Sequence, residues 1–196
     1  MVTDAAISGD SSPRSVGGHV SLDLVNTAVF AQGDPAADVL ESAARFLAWC
    51  ADNGVPVPDP PRPGDEEALT SQATLLRTAL RTVVEAVAAG TAPPADALVA
   101  VRTAYVDAVA GSEPVLDEGR LRWQPADSPV GYLAVAAVDL LRDGRADRIK
   151  TCPSCGFVFL DTTKNGGRRW CSMEECGKEE KMRRYVAKRA QARGRR

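Results

Sequence analysis

Between residues 34 and 141 apolar side chains recur three and four positions apart in four separate runs, the repeat of helices that bury one face. The first run predicts a helix capped by Asp34, with Pro35 as its first residue, ending at Asn53 before Gly54. Val39, Leu40, Ala43, Phe46, Leu47 and Cys50 line its inner face, which makes Cys50 a core residue. Residues 54–64 hold five prolines and are expected to be a loop. A longer helix follows over 65–89, with Leu69, Leu76, Leu80, Val83 and Val87 on one side. Another spans 94–110, with Leu98, Val101, Tyr105 and Val109 turned inward. The period then changes to two. Pro114 to Trp123 alternates apolar and polar around Asp117-Glu118-Gly119, which predicts a short hairpin. Ser128-Pro129 opens a last helix, through Leu141, that is apolar nearly all round. It is too short to span a membrane and reads as the buried central helix.

The two ends of the chain read differently. Residues 1–17, rich in Ser, Gly, Asp and Pro, are expected to be disordered. They lack the apolar core of a secretion signal, so a cytoplasmic protein is expected, with no membrane partner. The C-terminal segment carries the charge asymmetry. Residues 151–196 hold twelve of the 24 basic residues but only five of the 26 acidic ones, so a net charge of −2 hides a basic segment behind an acidic one.

Four of the five cysteines also lie there, as Cys152-x2-Cys155 and Cys171-x4-Cys176, fifteen residues apart. Two ligands on a tight knuckle and a second pair returned by a hairpin complete a tetrahedron around one Zn2+. Gly156, after the second ligand, lets backbone N–H groups turn toward the sulfurs. Disulfides fit an oxidising compartment, which nothing in residues 1–17 indicates, and a redox C-x-x-C leaves Cys171 and Cys176 unexplained. With four thiolates bound, no position is open to water or substrate, so the zinc is expected to be structural. Phe159 and Trp170 are expected to pack behind it, with stacking on a base as the alternative for Trp170. Asp161 and Asn165 suit a bend, and Ser172 caps a helix beginning near Met173 with Glu175 completing a capping box.

Residues 176–190 contain no proline, and Met182, Tyr185 and Val186 recur at helical spacing. Lys178, Lys181, Arg184 and Lys188 follow one stripe of that helix, with Arg183 and Arg189 beside it and Arg168 and Arg169 ahead of it. Two readings stand: a solvated face partly neutralised by Glu179 and Glu180, or a row that contacts the phosphates of duplex DNA. Rigid anchoring by the zinc clip favours the second. No phosphate loop, nucleophile elbow or nucleophile beside a histidine is present, so no enzyme is expected. His19, Asp23 and Asn26 form the one polar cluster of the acidic domain. They are candidates for binding a small-molecule effector, or else Asp23 and Asn26 satisfy buried backbone groups and His19 lies at the surface.

The run Cys152-x2-Cys155-x3-Phe159-x-Asp161-x3-Asn165-x3-Arg169-Trp170-Cys171-Ser172-Met173-x2-Cys176-Gly177 resembles the CGNR-type zinc finger. Gly18-His19-Val-Ser-Leu22-Asp23-Leu-Val-Asn26-Thr27 resembles the opening of the helical ABATE domain that precedes this finger in its family. The resemblance spans residues 18 to 190 and implies a stress-induced transcription regulator. One departure stands out: Cys176-Gly177-Lys178-Glu179 replaces the family's Cys-Gly-Asn-Arg. If the family's arginine touches DNA, Glu179 repels phosphate in its place; if it is structural, Lys178 and Lys181 carry the contact.

The fold expected is α+β, mainly α: residues 18–148 as a helical domain with a short hairpin, then 149–190 as a treble-clef-like four-cysteine finger and 191–196 as a basic tail. No flexible linker separates them, so the finger is expected to dock on the helices. The function expected is DNA binding by the finger and basic helix, with the helical domain sensing a ligand or assembling, as a homodimer if paired half-sites are read. The other reading is an adaptor whose basic helix meets an acidic protein.

Overall fold

The computed structural model describes residues 15–30, 38–58, 64–125 and 128–193. Six α-helices and two antiparallel hairpins follow in the order α1 (Val20–Phe30), α2 (Ala43–Asp52), α3 (Glu66–Ala88), α4 (Ala95–Ala110), β1 (Ser112–Asp117), β2 (Arg120–Pro125), α5 (Pro129–Arg142), β3 (Ile149–Thr151), β4 (Val158–Leu160) and α6 (Lys178–Arg193). This is the expected mainly helical α+β architecture with a small C-terminal finger. No helix among the described residues is long and apolar enough to cross a membrane.

Helix α1 has no counterpart in the sequence reading, and the reason is physical. Residues 21–27 are buried without exception, including Ser21, Asp23, Asn26 and Thr27. A helix enclosed on all sides has no solvent face, so its sequence lacks the apolar–polar contrast that marks a surface helix. The helix expected from Asp34 starts later. Asp34 and Pro35 lie outside the described residues; Asp38 instead caps a short 3-10 turn by accepting from Leu40 N at 2.9 Å, and extended Ser42 caps α2 by accepting from Arg45 N. Ser42 thus closes the 3-10 turn and opens α2.

Helix α3 faces the core as its pattern predicts, through Leu76, Leu80 and Val83. Helix α4 does not. It is turned so that Ala97, Val101 and Ala108 are buried, while Leu98 is exposed and Tyr105 and Val109 are only half-buried. Twelve of its sixteen residues are apolar, so periodicity could not set its rotation. Helix α5 is the central helix, buried at eight of its fourteen positions and capped by Ser128, which accepts from Gly131 N. The β1/β2 hairpin turns at Glu118 and Gly119, both at positive φ, the geometry of a two-residue turn that follows strand twist.

The core has two lobes. One gathers Leu24, Phe46, Trp49, Leu76 and Leu133. The other gathers Leu22 and Val25 of α1, Leu80 and Val83 of α3 and Leu140 of α5, and it continues without a break into Ile149, Val158 and Leu160 of the β3/β4 hairpin. The finger's hairpin is thus a wall of the helical domain's own core.

Candidate metal centre and nucleic-acid interface

Strands β3 and β4 pair Ile149 with Leu160, Lys150 with Phe159 and Thr151 with Val158. Because side chains alternate across a strand, Val158 and Leu160 face the helices while Phe159 faces the other way, toward the cysteines. The Cys152–Cys155 knuckle is the tip of this hairpin: Cys152 N donates to Phe157 O at 2.7 Å and Gly156 N to Cys152 O at 2.9 Å, with Gly156 at φ 77°. Cys171 lies just ahead of a single wide turn over Met173–Gly177 that contains Cys176 and opens α6, and Ser172 accepts from Glu175 N. The hairpin therefore carries the first ligand pair instead of lying between the pairs. A loop over 161–170 makes the return.

All four Sγ atoms lie within 4.8 Å of one another, with Cys155–Cys171 at 3.4 Å and Cys171–Cys176 at 3.6 Å. A tetrahedral Zn2+ at about 2.3 Å from each sulfur sets them ~3.8 Å apart. The four cysteines fit one zinc ion and leave no position for a further ligand. In the absence of a cation the thiols cannot share charge evenly. A hydrogen bond from Cys171 draws Cys155 down to about 5, the same bond pushes Cys171 far up, and burial pushes Cys176 up to about 11. Ionisation of the whole set requires a cation to compensate it. Gly177, after the last ligand, is fitted closely: a Cβ there would lie 3.0 Å from Met173 Sδ and 3.3 Å from the Trp170 ring.

The return loop is organised by Asp161, whose side chain is fully buried. One oxygen accepts from Lys150 Nζ at 2.7 Å and Arg168 N at 2.9 Å; the other accepts from the backbone and hydroxyl of Thr163. Lys150 above all, then Thr163, hold this carboxyl well below the usual carboxylate range. Arg168 completes the brace. Its guanidinium lies 4.6 Å over the Phe159 ring and donates to the carbonyls of Trp170, Cys171 and Val16. Expected on phosphate, Arg168 is instead bound to backbone carbonyls of the finger and of the segment ahead of α1. Arg169 is exposed and lies over the half-buried Trp170, which packs against the cysteine cluster.

His19, Asp23 and Asn26 do not converge on a ligand-sized site. Asn26 forms a paired clasp with β4: its Nδ2 donates to Val158 O at 2.9 Å and its Oδ1 accepts from Val158 N at 2.8 Å. Asp23 Oδ1 accepts from Gly17 N at 2.8 Å, while Gly17 O accepts from Leu160 N. Val16 and Gly17, expected to be disordered, are thereby held between α1 and the finger, while residues 1–14 lie outside the described residues. A Cβ on Gly17 would sit 2.9 Å from Leu22 Cβ and 3.1 Å from Asp23 N. Burial raises the Asp23 carboxyl to about 6 against the lowering effect of Gly17 and Val16 N–H groups. His19 is half-buried at the start of α1, where its carbonyl accepts from Leu22 N and Asp23 N; burial, then nearby Arg145, lowers its pKa. The clasp joins residues more than 130 positions apart, and no local signal in the sequence announces it.

Helix α6 runs out from the metal centre, and among the described residues no other element supports it beyond its first turn. Every residue from Lys181 to Ala192 is exposed, with Met182, Tyr185 and Val186 each more than half exposed. Glu180 accepts from Arg184 Nε at 2.7 Å and pairs with Arg183 at 3.6 Å, and Glu179 pairs with Arg183 at 3.5 Å. Arg189 lies over the Tyr185 ring. Among the described residues Lys178, Lys181 and Lys188 have no carboxylate partner.

The ABATE family model, described as putative stress-induced transcription regulator, matches residues 18–144. The CGNR zinc finger model matches residues 148–189. No curated protein matches the chain.

Proposed function

We propose, from the premise that the chain belongs to the ABATE family and ends in a CGNR zinc finger, that it regulates transcription by laying α6 on duplex DNA. The observation that carries this reading is the state of α6: sixteen residues, exposed on every side from Lys181 to Ala192, basic, and fixed at one end by two zinc ligands. A helix on which no other described element packs from Lys181 to Ala192 gains stability from a partner, and the partner suited to this one is a polyanion.

At 100° per residue, Lys181, Arg184 and Lys188 fall within about 60° of one another, and Tyr185, Met182 and Val186 form the adjoining stripe. The cations are placed to meet phosphates while the apolar stripe faces base edges, including thymine methyl groups. Lys178 and Arg189 fall within the apolar stripe, between Tyr185 and Met182 around the helix. Arg183 partly neutralises Glu179, the anion standing where the family has arginine, so its repulsion of phosphate is local. Arg169 extends the basic surface back to the finger, whereas Arg168 acts through structure alone. The helical domain serves as the platform that sets the direction of α6, because β3 and β4 are part of its core.

The apolar stripe on α6 also favours a second reading, an adaptor that captures an acidic protein. One titration separates the two: zinc-loaded protein against a labelled random-sequence duplex, followed by fluorescence anisotropy. DNA binding predicts saturable binding at low salt that weakens at least about tenfold in Lys181→Glu/Lys188→Glu. Absence of binding at low salt would leave the adaptor reading in its place.

A further inference from the structure

The cations of α6 do not all stand on its phosphate side. Taking Lys178 as zero and about 100° per residue, Lys181, Lys188 and Arg184 lie about 60°, 80° and 120° to one side. Arg189 lies about 20° to the other, in the middle of the stripe that runs from Tyr185 through Met182 to Val186. It is also engaged differently from its neighbours. Arg183 and Arg184 are held by Glu179 and Glu180, and Arg168 by backbone carbonyls. Arg189 Nη1 instead donates to the Tyr185 hydroxyl at 3.2 Å, and its guanidinium carbon lies 5.5 Å from the centre of the Tyr185 ring. Among the described residues no carboxylate pairs with it, and its Nε and Nη2 meet no acceptor.

We propose that Arg189 reads a guanine in the major groove and that Tyr185 is the residue that positions it. This rests on α6 being the DNA-binding element and adds what that element recognises. Phosphate contacts fix a helix on the duplex without choosing a sequence, so the choice falls to the stripe that meets base edges. At the middle of that stripe the guanidinium offers a planar fork of N–H donors. Guanine alone presents two acceptors side by side, O6 and N7. Adenine sets a donor beside N7, thymine a methyl group beside O4, and cytosine a donor. A donor fork is therefore satisfied twice on guanine and opposed by a donor on adenine.

Tyr185 makes the fork selective. An arginine free in solvent loses rotamer freedom when it binds, and a partner one turn away restricts it beforehand. Because Tyr185 takes Nη1, the edge formed by Nε and Nη2 is left for the base. Lys178, the other cation of the stripe, is a point charge on a flexible stem, which attracts an acceptor without testing for two. Met182 and Val186, on the far side of Arg189 from Tyr185, suit the methyl groups of neighbouring thymines.

The test is selection from a random-sequence duplex library with the zinc-loaded full chain, followed by titration of the selected site. The site should hold a fixed guanine whose replacement by adenine weakens binding about tenfold or more. In Arg189→Gln the preference at that position should pass to adenine, whose N6 and N7 a glutamine matches. Tyr185→Phe, which keeps the ring and removes the hydroxyl, should narrow the guanine preference by about threefold with affinity for random duplex nearly unchanged. Lys188→Gln, on the phosphate side, should weaken binding to every sequence alike and leave the preference in place. Circular dichroism and zinc content should be the same in all variants, since the three side chains are exposed. Guanine preferences that all survive Arg189→Gln overturn the proposal, as does duplex binding with no preferred base; both results leave α6 on DNA. A wild-type chain that binds no duplex at low salt overturns the DNA reading itself, and this proposal with it.

Discussion

Replacing Asn26 with leucine keeps the side chain's approximate size and removes both of its bonds to Val158. Neither the N–H nor the C=O of Val158 can turn to water, because Val158, in the finger's strand β4, is buried against the helical core. A buried backbone group left unpaired costs about 1–3 kcal/mol, so two together are expected to cost about 3 kcal/mol once some relaxation is allowed. For a chain of this length that lowers the melting temperature by roughly 6–12 °C. Because Val158 and Leu160 are part of the helical core, the loss should appear in helix unfolding and zinc release alike. The assay follows both in one thermal ramp, ellipticity for the helices and a chromogenic chelator for the metal. Ser21→Ala serves as control: its hydroxyl reaches Leu133 O only at 3.4 Å, and its removal should fall within about 0.5 kcal/mol. A shift below 2 °C in Asn26→Leu, or zinc release moving while helix unfolding stays in place, would refute the reasoning.

Two further outcomes follow from the same interface. Burial raises Asp23 from 3.8 to about 6 in the folded chain, so its contribution to stability is fully present below pH 4 and is lost as pH rises to 6. The loss amounts to at most about 3 kcal/mol. Denaturant unfolding at pH 4 and pH 7, compared between wild type and Asp23→Asn, should show that difference in wild type alone; the subtraction removes His19, whose lowered pKa tilts stability the other way. Removal of zinc with a strong chelator should speed hydrogen exchange in α1 as well as in residues 149–177. Exchange confined to the finger would contradict the shared core.

The parts legible in the sequence are those where local chemistry admits one structure. Cysteine spacing defined the metal centre, because two ligand pairs at that separation have few other uses. Strong amphipathic contrast placed α3, and the turn around Glu118-Gly119 placed the β1/β2 hairpin. Where contrast was absent, the reading failed. Helix α1 is enclosed on all sides and shows no polar face; α4 is apolar at twelve of sixteen positions, and of the four side chains expected inward only Val101 is fully buried. Arg168 illustrates a different limit. Beside Arg169 in a basic segment it looks like a phosphate ligand, but the loop around Asp161 presents carbonyls that need a donor, and only the folded loop reveals them. For Asn26 and Asp23 the second of the two readings holds, that they satisfy buried backbone groups; which groups, those of Val158 and Gly17, is visible only in the fold.

The most direct test of the account is the salt dependence of duplex binding, measured as dissociation constants of the zinc-loaded protein over a range of salt concentrations. If Lys181, Arg184 and Lys188 each meet a phosphate, the logarithm of the association constant should fall against the logarithm of salt with a slope of about −3. In Lys181→Glu/Lys188→Glu the slope should be shallower by about two. A slope near zero, or one that the double variant leaves unchanged, would contradict α6 as the DNA-binding element.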